Sequence, residues 1–330
     1  MRNAAGSLYG LAYGDAFGKP TEFQDYATIV ARYGRGGPTE LIGTPALVTD
    51  DTQMALAVGE SLLATEEITA AALEPVLRRA FLDWARSPDN NRAPGMTCLR
   101  ACALLEDGRP WQHATVAESK GCGANMRVTP VGLMPGLSDD QRAGAAQLQA
   151  ALTHGHPTGL AASELTAYAC WWLLNGLPPR EVLGALRDRC RGQRKVYRGD
   201  WLGDLWRQAS VPTSPEEFIV TGWDECLTAL DRVEAALAAG ELSGDPCLVT
   251  GAGWIAEEAL ATALYCYLIS PDEPVAVIGR GAASSGDSDS IACLAGAFAG
   301  AALGLSAWPA AWQTRIEYAD RLARLAQAWD

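Results

Sequence analysis

Apolar positions recur along this chain with a helical period. Ala161, Leu165, Tyr168 and Trp172 fall on one face, as do Leu260, Ala263, Leu264, Tyr267 and Leu268, while strand-like alternation is scarce. Near the C-terminus, Trp312, Ile316, Ala319, Leu322 and Ala326 make a single stripe with Arg315, Glu317, Asp320 and Arg324 off it, which predicts a surface helix closing the fold. Two segments differ in kind. Gly6, Gly10, Gly14 and Gly18 recur every four residues, and Gly296, Gly300 and Gly304 repeat that spacing within 292–304. On a helix such glycines form a flat ridge that another backbone can approach closely. Each costs the helix about 1 kcal/mol relative to alanine, so the ridge needs a packing reason. The expectation is that these two helices pack together at the centre. Residues 192–222 break the periodicity with glycines, prolines and clustered Arg, Lys and Trp, including Trp201 and Trp206. They predict a long connection or insertion inside one domain spanning 1–330.

Composition narrows the function classes. With 330 residues and 48% apolar content the chain can bury a large core, and a net charge of −13 argues against a generic nucleic-acid binder while leaving a local phosphate pocket open. Nine cysteines occur without a CxxC pair, which reads as small buried hydrophobes in a reducing compartment. The first residues lack a signal-peptide core and no apolar run nears the roughly 20 residues a membrane span needs, so the cytoplasm is the expected location.

Chemistry concentrates where acids meet apolar helices. "VTDDTQMALAVGESLL" (48–63) puts Thr49, Asp50, Asp51 and Thr52 before a helix striped by Met54, Val58 and Leu62. "SSGDSDSIACLAGAFAGAAL" (284–303) puts Asp287, Asp289 and Ser290 before the second glycine helix. Helix capping and metal binding account equally well for either cluster alone. Capping needs one side chain, however, and each segment offers two carboxylates and a hydroxyl. If the two helix starts meet, four carboxylates crowd one pocket and must either raise each other's pKa or take up cations, with hard oxygen ligands suiting magnesium, manganese or calcium rather than zinc.

Further candidates are weaker. "GLAYGDAFGKPTEFQ" (10–24) carries Asp15 and Glu22, and a solvated turn acid is the expected state of Asp15. "SKGCGANMRVTPVGL" (119–133) has Gly121 and Gly123 to turn the backbone toward an anion, with Arg127 nearby, although such loops are more often plain turns. "LTHGHPTGLAAS" (152–163) holds His154 and His156, better explained by hydrogen bonding than by zinc. "VAVIGRGAASSG" (275–286) imitates a strand and a dinucleotide turn but lacks the third glycine and the later acid.

Taken in order, "GDAFGKPTEF", "TDDT", "GCGANMRVTPVGL", "LTHGHPTG", "GWIAEEALATALY" and "SGDSDSIACLAGAFAGA" resemble the ADP-ribosylglycohydrolase family from about Gly6 to Gly304. The resemblance implies an all-α fold, a single-domain orthogonal helical bundle with a central cleft for two magnesium ions, manganese being the alternative. It implies metal ligands at Thr49, Asp50, Asp51, Asp287, Asp289 and Ser290, the last where relatives often carry threonine. It implies that Ser119, Gly121, Cys122, Gly123 and Met126 hold the pyrophosphate and near ribose of ADP-ribose, with His154 by the distal ribose. Lys120 stands where some relatives have an aromatic. The implied reaction is metal-dependent hydrolysis of the bond between the distal ribose and an acceptor, with ADP-ribosyl-arginine favoured over other protein, nucleic-acid or small-molecule acceptors. Asp51 or Glu22 would manage the proton. Two other readings stay open: a non-catalytic ADP-ribose or nucleotide binder, and a hydrolase of another nucleotide-like glycoside.

Overall fold

The two glycine-spaced segments are antiparallel helices, Ala4–Gly18 and Ser288–Leu303, in direct backbone contact. A Cβ added to Gly6 would lie 2.5 Å from the carbonyl oxygen of Gly300, one on Gly10 2.3 Å from that of Gly296, and one on Gly14 2.0 Å from that of Ala292. At the end of the ridge, a Cβ on Gly18 would lie 2.2 Å from the Cα of Asp289. Neither helix has a solvent face: all of the first is buried, as is the second except Leu303. Helices apolar on every side belong in the interior. Helices Pro157–Leu174, Ala256–Ile269 and Pro274–Ala282 pack around the second.

The computed structural model describes residues 4–240 and 242–330. Among these, seventeen α-helices and short 3₁₀ turns make up the regular structure, and β pairing is limited to isolated bridges. The fold is all-α, as the periodicity and the resemblance require. No described helix is long and apolar enough to cross a membrane.

Two local expectations need correction. The C-terminal helix begins at Ala319 rather than Trp312: Pro309 opens a 3₁₀ turn over Ala310–Trp312, and Tyr318 takes a left-handed φ of 58° that breaks the stripe. Trp312 and Ile316 are still buried, so the apolar period was real while the helix was not continuous. The irregular segment ends earlier than residue 222, because Ser214 caps a long helix, Pro215–Ala239, by accepting from the Glu217 N–H. Trp201 within that segment is core: it packs on Gly144, where a Cβ would come within 2.0 Å of its ring. Residues Pro274–Ala282 form a helix, which excludes the strand of a dinucleotide motif.

The glycine contact makes a sharp prediction. Gly300→Ala, whose Cβ would fall 1.9 Å from the Gly6 carbonyl oxygen, should destabilise the protein by about 3 kcal/mol in denaturant melts. Gly184→Ala, in an exposed helical position with nothing within 4 Å, should stabilise it by roughly 0.5–1 kcal/mol. Equal effects would show that the ridge is not the close-packed element of the core.

Candidate functional site

The helix Asp50–Ala64 begins at a position where its free N–H groups need acceptors. Thr49 accepts from the Asp51 N–H, and Asp15, in the last turn of the first helix, accepts from those of Thr49 and Thr52. The Asp15 carboxylate accepts from the Thr49 N–H at 2.9 and 3.0 Å, the Thr52 N–H at 3.0 Å, and the hydroxyls of Thr49 at 2.9 Å and Thr52 at 2.5 Å. Asp15 is therefore fully buried, not a solvated turn acid. The sequence carried a signal that the turn reading passed over, an acid in a helix otherwise free of charge.

Because Asp15 and Thr49 do the capping, Asp50 and Asp51 are free for something else. Asp50 Oδ2 accepts from the Gly95 N–H at 3.1 Å. Asp51 Oδ2 lies 3.2 Å from the Thr49 hydroxyl, and its Oδ1 is buried without a partner. At the other helix start, Asp287 makes no side-chain cap bond, and Asp289 Oδ1 accepts from the N–H of Ser290 at 3.0 Å. The register of the glycine ridge, which sets Gly18 on Asp289, brings the two starts together.

Asp50, Asp51, Asp287, Asp289, Ser290 and Glu22 line one cleft of about 360 Å³. Carboxylate oxygens of Glu22, Asp287 and Asp289 lie within 4.8 Å of one another. Burial first, and the Asp289 charge second, push Asp51 and Asp287 well above the usual carboxylate range, Asp15 and Asp50 to about 7 and Glu22 to about 9. Burial and the charges of Asp287 and Asp51 also hold the nearby Cys122 thiol well above its usual range. An orphaned buried oxygen, crowded like charges and an all-oxygen donor set fit a hard divalent cation. The cluster could hold a metal.

A second wall is the glycine loop, which meets the acids where the Ser290 hydroxyl lies 3.8 Å from Met126 Sδ. Gly121, Cys122, Gly123 and Met126 line the cleft with His154 beneath them, whereas Ser119 stands behind, its hydroxyl 3.0 Å from that of Thr97. A Cβ on Gly121 would lie 3.2 Å from His154 Nε2 and one on Gly123 3.2 Å from Cε1, so any larger residue would have to displace the imidazole slightly. Arg127 does not face the cleft. It is fully buried, donating to the Gln149 side chain at 2.8 Å, the Gln149 carbonyl at 2.6 Å and the Thr153 hydroxyl at 2.8 Å. The Thr153 hydroxyl, which accepts from Arg127, also shares a hydrogen bond of 2.8 Å with His154 Nδ1. Burial, followed by the Arg127 charge, lowers the His154 pKa to about 3, so it remains neutral at ordinary pH. His156 instead caps the helix Pro157–Leu174 by accepting from the Thr158 N–H. Lys120 is taken up by Glu225 at 2.6 Å and Glu257 at 2.5 Å.

Segments 93–97, Phe23 and Trp254 complete the cleft wall. Their turns and aromatics carried no chemical pattern that sequence reasoning could use.

The ADP-ribosylglycohydrolase family model matches residues 1–330. The chain belongs to the ADP-ribosylglycohydrolase family. Membership makes it an enzyme of the ADP-ribosylglycohydrolase class. It is 28% identical to the human protein named ADP-ribosylhydrolase ARH3, over 98% of this chain and 91% of that one. It is 31% identical to the ADP-ribosylarginine hydrolase Tri1 of Serratia proteamaculans (strain 568), over 53% of this chain and 48% of that one. A solved structure described as an ADP-ribosylglycohydrolase-related protein complex shares the fold with a TM-score of 0.68 at 23% identity, covering 99% of this chain and 96% of that one.

The charge cluster predicts an inverted stability response. Asp289→Asn removes the charge that raises its neighbours, so in chelator its melting midpoint should exceed that of the wild type by about 2 °C or more. Millimolar magnesium or manganese should raise the wild-type midpoint and leave the variant unmoved. A variant that gains as much from the cation as the wild type would remove Asp289 from the metal site.

Proposed function

We propose that this ADP-ribosylglycohydrolase cleaves the glycosidic bond between the distal ribose of ADP-ribose and an acceptor, ADP-ribosyl-arginine foremost, with two magnesium ions or manganese in their place. The observation that carries this is one cleft with five carboxylates on one wall and a glycine loop over a neutral histidine on the other. The name of the Serratia relative, an ADP-ribosylarginine hydrolase, supports the choice of acceptor. All nine cysteines are free, which supports a reducing compartment such as the cytoplasm.

In this reading Asp50, Asp51, Asp287 and Asp289, with the hydroxyls of Thr49 and Ser290, hold the cations. Bound divalent ions supply Lewis-acid polarisation and orientation to a ribose and a nucleophilic water. The N–H groups of Gly121 to Gly123 suit a pyrophosphate, being donors on a backbone with no side chain in the way. His154 Nε2 shares a hydrogen bond with a ribose hydroxyl and fixes the sugar near the acids, which lowers the barrier by positioning. Asp51 lies on the floor of the cleft, whereas Glu22 is only partly buried at its rim, where an acceptor would leave. Glu22 is accordingly the residue that handles the proton. The water oxygen bonds to the anomeric carbon, and the carbon–nitrogen bond breaks with its electron pair passing to the guanidine. Burial and then the neighbouring acid charges push Glu22 up, and with those charges offset by cations on the aspartates its carboxylate is able to take the water proton and return it to that nitrogen.

Incubation with ADP-ribosyl-arginine, ADP-ribosyl-serine and ADP-ribosylated nucleic acid should release free ADP-ribose fastest from the arginine conjugate, and not at all in chelator. Asp289→Ala should lower the rate by at least about 10³ with the helical content unchanged. Release from none of the three, with tight ADP-ribose binding retained, would instead indicate a non-catalytic binding protein.

A further inference from the structure

Two aromatic rings stand at the cleft mouth without a part in the chemistry above. Phe23 is 68% and Trp254 43% exposed, and both line the cleft. Their centroids are 5.6 Å apart and their planes 14° from parallel. Each ring stacks one face on the other, and the pair as a whole is solvent-accessible at the edge of a cleft that also holds the acids.

Both rings are held where they are by the acidic segments. Phe23 follows Glu22 and has φ 63°, a left-handed conformation that a bulky residue rarely takes, in a turn where the Gly18 carbonyl accepts from the Thr21 and Glu22 N–H groups. The Trp254 carbonyl accepts from the Cys122 N–H of the glycine loop at 3.1 Å. Gly253 before it, with φ 84°, lies so close to Asp287 that a Cβ would sit 3.3 Å from the Asp287 Cβ. The pair thus bridges the three segments that carry Glu22, the glycine loop and Asp287.

The chemistry of the rings decides what such a surface takes. Beyond the indole N–H they offer an anion no donor and no cation, whereas the glycine loop offers backbone N–H groups, which leaves the anionic end of the substrate to that loop. A flat cation suits the rings, because a guanidinium stacks on aromatic faces and is weakly hydrated. A neutral hydroxyl acceptor gains nothing there.

Building on the hydrolase reading of the cleft, we propose that Phe23 and Trp254 form the acceptor subsite, stacking the guanidinium of ADP-ribosylated arginine and setting the preference for arginine over serine. Trp254→Ala should lower kcat/KM on ADP-ribosyl-arginine about tenfold and Phe23→Ala about threefold, while Trp254→Phe keeps most of it. Turnover of ADP-ribosyl-serine and affinity for free ADP-ribose should stay within about twofold. Equal losses on both conjugates, or no loss on either, would overturn the subsite, as would a wild type that prefers the serine conjugate. A wild type that turns over neither conjugate fails the hydrolase reading instead. The subsite then rests on methylguanidinium shifting the Trp254 indole N–H resonance in the presence of ADP-ribose, and no shift would end it.

Discussion

Contact between two glycine-lined helices is the constraint on which the rest of this structure depends. Backbones meet along Gly6, Gly10 and Gly14 on one side and Gly300, Gly296 and Ala292 on the other, too close for a Cβ on any of these glycines. The contact is costly in helix propensity, and its return is positional. It carries two helix ends into the interior, Asp15 at the end of one and Asp289 at the start of the other, with Gly18 lying on Asp289. A wider helix spacing, such as leucine or valine would impose, would draw those acids apart sideways and open the cluster.

Asp15 then settles a competition that the chemistry alone leaves open. Acids at a helix start serve as caps or as ligands, and the two roles compete for the same oxygens. By meeting the N–H and hydroxyl groups of Thr49 and Thr52 from a different helix, Asp15 relieves Asp50 and Asp51 of capping. The outcome is a cluster of buried carboxylates with raised pKa values and an unpartnered oxygen on Asp51. Such an arrangement lowers the stability of the protein by itself and becomes favourable once cations share it.

Buried positive charge supports the other wall. Arg127 has no carboxylate partner in direct contact and spends its donors on Gln149 and Thr153. Through the Thr153 hydroxyl it is linked to His154 Nδ1, and its charge helps keep that imidazole neutral. The glycine loop rests on the imidazole and is tied by Cys122 and Lys120 to the residues around Trp254. Metal wall, anion wall and aromatic rim are thereby one connected unit.

The sequence by itself determined that the chain is helical, that two glycine-spaced helices need a close partner, and that the acids before two of its helices exceed any capping requirement. Those properties are local: period, propensity and the number of oxygens at a helix start are written in neighbouring residues. Motif order added the family. Only the tertiary structure decided that Asp15 is the cap, that Arg127 turns inward, that the C-terminal stripe is helical only from Ala319, and that Phe23 meets Trp254. Each of those depends on a partner far away in the chain, and a side chain's burial and charge state follow from what packs against it rather than from its neighbours in sequence.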